Sequence, residues 1–304
     1  MAGSTEAQAT ATTAPRIVLV CTGVRPEEKM LVEAFAARSV ELFTADDRRI
    51  HGPLDAWPEG LPSADAVILR AKSHWRNAVL ARWIESRGAL AVNNSGVIET
   101  CGDKVATTLR LIEHGVSTLR SSVSFSAESG RAAADAVGFP LVVKPVVGSW
   151  GRLIGKISDP DALETVLEHK EALGGAPHAV TYLQEFVASG GQDIRSFVVD
   201  GVCIAAIRRS STHWRTNTAL GATASAVDVD SELARLSVAA AQAVGGGAVA
   251  VDLFETDSGY VVNEVNGAME FRNSVSTTGV DIPGLVADYV IREATARQRL
   301  AHVS

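Results

Sequence analysis

Cysteine is scarce in this 304-residue chain: Cys21, Cys101 and Cys203 are the only three, and they lie far apart. That number and spacing give neither a disulfide framework nor a zinc-ligand pattern, and they imply a reducing, cytosolic setting. Positive charge is also short. Lys and Arg number 28 against 35 Asp and Glu, a net charge of −7, so no broad basic surface for nucleic acid is expected. Long apolar runs are missing too. The longest, residues 236–254, is interrupted by Gln242, three glycines and Asp252, which rules it out as a membrane span. Residues 1–15 are rich in Ala, Thr and Ser but lack the basic start and apolar middle of a signal peptide, and a disordered tail is expected there. What is present is ordinary for a soluble globular protein: 46% hydrophobic and 21% charged residues, enough for two or three domains.

Strand and helix signals alternate from Arg16 to about Gly96. Apolar runs at Arg16-IVLVCT, Val40-ELFT, Ala64-DAVILRA and Ala89-LAVNN are separated by helical patterns at 27–38 and 74–87. This predicts a small α/β domain over 16–95 with a parallel sheet. The pattern then changes. A helix is expected over 103–114, then Phe139-PLVVKP as a strand, a glycine loop, a second strand and a helix over 159–170. Residues 96–180 and 181–304 are read as two further subdomains, the last with a hairpin turning at Asp200-Gly201, helices over 231–244 and 283–301, and an α/β (α+β) character overall.

The stretch Gly247-AVAVDLFETDSGYVVNEVN-Gly267 reads as two apolar strands joined at Asp257-Ser258-Gly259. Side chains alternate along a strand, so Glu264 and Asn266 share a face. If the strands pair, Asp252 can lie opposite them. The result is an all-oxygen set suited to Mg²⁺, whose remaining positions go to phosphate and water. The alternative is a surface hairpin with solvated acids, weakened by the apolar neighbours of Asp252, because a buried acid needs a partner or a metal.

Lys144 lies inside the apolar run Leu141-VVKP and is followed by Gly148-Ser149-Trp150-Gly151. Such glycines let backbone close over phosphate oxygens. The spacing to Gly155-Lys156 and the following Ile157 do not match a Walker A loop. Arg208-RSSTHWRTNTA carries three arginines, Arg208, Arg209 and Arg215, with Asn217 beside them, a composition suited to phosphate or carboxylate. Singly, each feature could be a hairpin edge, a surface pair or a solvated basic loop.

Taken in order, Asp103-Lys104, Lys144 with its glycine loop, Gln184-Glu185-Phe186, Asp193-Ile194-Arg195, the arginine cluster, Asp252 and Glu264-x-Asn266 resemble the ATP-grasp superfamily, specifically its RimK-like amino-acid ligases. The resemblance runs from about residue 103 to 291, with residues 16–95 as the preceding domain. Lys144-PVVGSWGRLIGKI, Val251-DLFE, Asn263-EVNGAMEFRNSV and Thr277-TGVDIPG look most like the LysX family. Its members join 2-aminoadipate to the C-terminal glutamate of the carrier protein LysW, and the ArgX branch uses glutamate.

The resemblance implies an ATP-grasp fold and the cofactors ATP and two Mg²⁺ ions. It implies that Lys104 and Lys144 contact the ATP phosphates or the adenine end, that Gly148, Ser149, Trp150, Gly151 and Arg152 belong to the loop over the phosphates, that Arg215 binds the nucleotide, that Glu185 and Phe186 meet adenine, and that Asp193 holds the ribose. Arg195, Arg208 and Asn217 would orient the acyl phosphate and the amino acid, with Asp252, Glu264 and Asn266 on the metal. The expected partner is a small acidic LysW-like carrier, drawn by a local patch of Arg208, Arg209 and Arg215 because the chain itself is acidic. A homodimer or homotetramer is implied. Ligation of glutamate to a ribosomal protein, a dipeptide ligase and a non-catalytic nucleotide scaffold are the other readings. One departure stands out: Gly267-Ala268 replaces the His-Thr common after Glu-x-Asn in LysX-type chains, and Ser276 precedes Thr277. These predict an amino acid other than 2-aminoadipate.

Overall fold

The computed structural model describes residues 14–148, 152–216 and 221–301. The tail expected at 1–15 falls almost wholly outside them, as do Ser149, Trp150, Gly151 and Asn217.

The first domain runs β1 (Ile17–Cys21), α1 (Pro26–Ala36), β2 (Leu42–Asp46), β3 (Ala66–Arg70), α2 (His74–Ser86) and β4 (Leu90–Val92). All four strands are parallel, in the order β2-β1-β3-β4. Every residue of β1 and β3 is buried, as continuous apolar runs in a parallel sheet require. Pro26 opens α1 at the one place where its missing N–H costs nothing.

Helices α3 (Ser95–Gly102) and α4 (Lys104–Glu113) follow. The Asp103 carboxylate caps α4 by accepting from the Ala106 N–H at 2.9 Å, which sets Lys104 at the first helical position. The chain continues through β5 (Ser121–Ser124), α5 (Ala127–Val137), β6 (Leu141–Lys144), β7 (Gly155–Ile157), α6 (Pro160–Leu173) and β8 (Thr181–Glu185). These strands form an antiparallel sheet, β5-β8-β6-β7. The boundary expected at residue 180 therefore falls one strand early, since β8 pairs with β5 and β6. Its apolar run gave no sign of which sheet it would join.

The third sheet is built from β9 (Gln192–Val199), β10 (Val202–Ser210), β11 (Thr223–Val227), β12 (Ala248–Thr256) and β13 (Gly259–Asn266), with α7 (Ser231–Ala243) between β11 and β12. Its order is β11-β10-β9-β12-β13, antiparallel throughout. Helices α8 (Arg272–Thr278) and α9 (Ile282–Ala301) close the chain. Among the described residues no helix is long and apolar enough to cross a membrane.

One face of the first sheet has a core of its own, with Val18, Val20, Val67, Leu69, Ala81 and Ile84 in one cluster, while the other face is shared with the rest of the chain. Ile17, Leu19 and Phe35 pack in one cluster with Phe197, Ala250, Ile282 and Val290. Asn93 pins the seam: its Oδ1 accepts from the Ala248 N–H at 2.8 Å, and its Nδ2 donates to the Ala248 and Gly267 carbonyls at 2.8 and 2.6 Å. Arg38 adds a two-pronged bond to Asp288, at 2.5 and 2.7 Å. The carboxyl ends of the first sheet are thereby set against the carboxyl end of β13.

Candidate active site

Register decides which side chains share the floor of the cleft. Asp252 lies directly opposite Glu264 on β13 and Arg195 on β9. Asp193 lies opposite Arg209 on β10. Because alternate residues face the same way, Asp193, Arg195, Arg209, Asp252, Glu264 and Asn266 converge on one face. Asn266 Nδ2 sits 3.4 Å from Asp252 Oδ2 and 3.5 Å from Glu264 Oε1, so the three expected metal-binding residues do meet. A register shift between Asp252 and Leu253 leaves Asn263 free to turn inward, and its Oδ1 accepts from Lys144 Nζ at 2.8 Å.

Four charges are interlocked on this floor. Arg195 donates to both oxygens of Asp252 at 2.7 Å each. Arg209 donates to both oxygens of Asp193, at 2.7 and 2.5 Å, and its Nη2 is also 3.1 Å from Asp252. Thr216 Oγ1 donates to Asp193 at 2.5 Å. Two guanidinium groups and two carboxylates balance, which is what makes their burial tolerable. Burial pushes Asp252 up, but Arg195 and then Arg209 outweigh it and hold the carboxyl well below the ordinary range.

The set fits Mg²⁺. Among the described residues no three His, Cys, Asp or Glu form a metal cluster, so a site here must use two carboxylates and an amide. Asp252 is held ionised, as a ligand must be, and a carboxylate has about four acceptor sites, so its two arginine bonds do not exhaust it. Asn266 turns its nitrogen toward the acids, and a half-turn of the amide presents Oδ1 instead. The donors are all hard oxygens, few enough to leave positions for phosphate and water.

Above this floor Lys144 is fully enclosed. Its ammonium donates to Gln184 Oε1 at 2.5 Å as well as to Asn263, and burial pushes it down to about 8 despite the neighbouring Glu264 charge. A lysine so placed gains from any anion that arrives. Lys104 Nζ donates to the Gly148 carbonyl at 2.9 Å, joining α4 to the start of the glycine loop. Arg152, just beyond the loop, is exposed.

Other expected residues stand differently. Arg208 points to the opposite face, where it donates to Glu255 at 2.7 Å and Gln192 at 3.3 Å beside a cavity of about 360 Å³. Neighbouring strand residues face opposite ways, so Arg209, quoted only as part of the cluster, occupies the floor. The basic patch of Arg208, Arg209 and Arg215 is not a surface patch, since Arg209 is only 6% exposed. Asp193 has both oxygens engaged and is 5% exposed. Glu185 is tied to Arg120, at 2.8 Å through Nε and 2.9 Å through the backbone N–H. Phe186 makes an edge contact with Trp214 at 6.0 Å between centroids, and Lys156 lies over its ring at 3.9 Å. The N–H groups of Glu185 and Phe186 already donate to the Arg120 and Pro140 carbonyls. Arg215 lies over Trp214 at 5.8 Å. Gln184, quoted only as part of the Gln184-Glu185-Phe186 motif, anchors Lys144 and ties it to Tyr182 and Ser121. Ser276 and Thr277 turn their hydroxyls onto the Asn273 carbonyl of their own helix.

Comparison with known proteins identifies the family. Residues 101–290 match the RimK-like ATP-grasp domain, and residues 17–100 match the LysX preATP-grasp domain. The chain is 32% identical to a protein named glutamate–LysW ligase ArgX from Sulfurisphaera tokodaii, over 90% of this chain and 98% of the relative. It is 35% identical to alpha-aminoadipate–LysW ligase LysX of the same organism, over 77% and 82%. Among solved structures, a RimK domain ATP-grasp protein from Sphaerobacter thermophilus superposes with a TM-score of 0.75 at 28% identity, over 91% of this chain and 99% of that one. The chain belongs to the RimK-like ATP-grasp family and carries a LysX-type preATP-grasp domain.

Proposed function

We propose that this chain is an ADP-forming carboxylate–amine ligase that joins the α-amino group of an amino acid to the C-terminal glutamate side chain of a small, acidic, LysW-like carrier protein. The observation that carries the reading is the convergence of Asp252, Glu264 and Asn266 beneath Lys144 in a chain of this family. The names of the relatives support the carrier.

The chemistry has two steps. An oxygen of the carrier carboxylate attacks the γ-phosphorus of ATP, the bond to the β-phosphate oxygen breaks, and ADP leaves. The neutral α-amine then attacks the acyl carbon, phosphate departs with the C–O bonding pair, and the amine proton passes to solvent or phosphate. The protein's part is positioning and charge neutralisation. Asp252, Glu264 and Asn266 would hold two Mg²⁺ ions, which when bound neutralise phosphate charge. Lys144 meets the phosphates with an ammonium already stripped of water, and Lys104 steadies the glycine loop from α4. Arg195 and Arg209 face the transferring group, locked in place by Asp252 and Asp193. Asp193 is therefore assigned to positioning Arg209 and not to the ribose. Phe186 and Trp214 offer an aromatic wall for adenine. Asn217 keeps its expected role at the acyl phosphate, and Ser149, Trp150, Gly151, Arg152 and Arg215 keep theirs at the nucleotide. Two or four copies are expected in solution, to be read by light scattering.

Coupled detection of ADP, with each of carrier, amino acid and Mg²⁺ omitted in turn, tests the reading. ADP formation that requires all three supports it. Turnover with amino acids alone, or only with a ribosomal protein, would replace it with the corresponding alternative.

A further inference from the structure

We infer that the crevice at the carboxyl ends of β1 and β3 receives the side-chain carboxylate of the incoming amino acid, and that Arg70 is the residue that reads it. This deepens the ligase reading and rests on it. In the order β2-β1-β3-β4 the strands are all parallel, but the direction in which successive strands are laid across the sheet switches between β1 and β3, and ligands of open parallel sheets bind outside the carboxyl ends of the strands at that switch point. Arg70 is the last residue of β3. Its Nε donates to Glu28 at 2.6 Å and its Nη1 to the Met269 carbonyl at 2.8 Å. Its Nη2 is buried and has no hydrogen-bond partner among the described residues, in a side chain only 6% exposed.

A cavity of about 30 Å³ adjoins it, with Asn93, Gly267, Ala268 and Met269 among its walls. That exceeds the roughly 10–15 Å³ one water occupies, and Ala268 is exposed at the rim. Charge favours an anion. Glu28 is shared between Arg25, at 3.0 Å, and Arg70, so three buried or half-buried groups carry one net positive charge. Glu270 reaches Arg25 only at 3.5 Å from an exposed position, where solvent screens it.

Location ties the crevice to the chemistry. Residues 267–269 follow Asn266 directly, and at about 3.3–3.6 Å per residue Met269 lies within roughly 11 Å of that metal-binding position. An amino acid with its α-amine at the acyl carbon, beside that position, and a side chain of a few carbons covers this span. The ligand class is an amino dicarboxylic acid; amides, aliphatic and basic amino acids are excluded.

The test is equilibrium titration of the full chain, with a non-hydrolysable ATP analogue and Mg²⁺ but no carrier, using glutamate, 2-aminoadipate and their neutral counterparts glutamine and norleucine. Failure of carrier ligation leaves this readout intact. Wild type is expected to favour the acids by on the order of 10–100-fold, the effect of a charged hydrogen bond. Arg70→Gln should abolish that preference, and Arg70→Lys should retain part of it. Ala268→Leu at the rim should weaken the acids by about 10-fold without changing the melting temperature, and it decides the matter if Arg70→Gln does not fold. Equal binding of glutamate and glutamine, binding of neither, a preference that survives Arg70→Gln, or unchanged affinity in Ala268→Leu overturns the inference.

Discussion

Asp252 and Glu264 are both assigned to the metal, yet their surroundings differ so much that neutralising each should have very unequal consequences for the fold. Asp252 is 3% exposed, accepts two bonds of 2.7 Å from Arg195 and lies 3.1 Å from Arg209. Asp252→Asn leaves two buried guanidinium groups facing an amide, one of whose atoms is itself a donor. Removing one partner of a buried pair costs about 3–5 kcal/mol. Glu264 has a single hydrogen-bond contact among the described residues, to Asn266 at 3.5 Å, so Glu264→Gln should cost at most about 1 kcal/mol. Both variants should lose Mg²⁺-dependent ADP formation. Urea denaturation of the metal-free proteins at pH 7 provides the assay. The sign against pH is fixed: the Asp252 carboxyl is held below its ordinary range, so its stabilisation is present above the unfolded-state value and fades as pH falls through the folded one. The gap between wild type and Asp252→Asn should narrow in acid. Equal destabilisation by the two variants, or no loss from Asp252→Asn, would refute the view that Asp252 organises the arginines.

Three further outcomes follow from the same geometry. Arg209→Ala should abolish turnover and cost about 3–5 kcal/mol, whereas Arg208→Ala, which removes a part-exposed pair with Glu255 and a long bond to Gln192, should cost about 0–1 kcal/mol and leave kcat near wild type; steady-state kinetics and urea midpoints check both. Lys144, pushed down to about 8 from 10.5, binds its proton more weakly folded than unfolded, so folding carries a penalty below pH 8 that disappears between 8 and 10.5. Stability should rise across that window by about 3 kcal/mol relative to Lys144→Met, measured by denaturation at pH 7.5 and 10.5. Gly247 has φ +88, and a Cβ there would fall 2.2 Å from Asn93 Oδ1. Gly247→Ala should therefore destabilise by more than about 1 kcal/mol in thermal unfolding, because it breaks the clasp between the first domain and β12.

The floor of the cleft was legible in the sequence because strand parity is a local property. Glu264 and Asn266 share a face whatever the rest of the chain does, and an acid inside Val249-AVDLF requires a partner. Parity also explains the main miss. Arg208 and Arg209 are adjacent on β10, and only the register against Asp193 reveals which one faces the cleft. Asp193 looked like a ribose ligand because its sequence gives no hint of the arginine and threonine that occupy it. The first domain was readable from alternating apolar runs, but its fusion with the third sheet through Phe197 and α9 depends on contacts across more than 150 residues. Helices α3, α5 and α8 went unread. Helices α3 and α8 are short, and α5 is so rich in Ala that its apolar stripe is faint.

Intact-mass measurement of a LysW-like carrier after incubation with the protein, ATP, Mg²⁺ and glutamate or 2-aminoadipate bears most directly on the proposed activity. The carrier should gain the mass of one amino acid less one water, placed on its terminal glutamate, with one ADP formed per carrier modified. An unmodified carrier in the presence of steady ADP formation, or a carrier altered at any other residue, would contradict it.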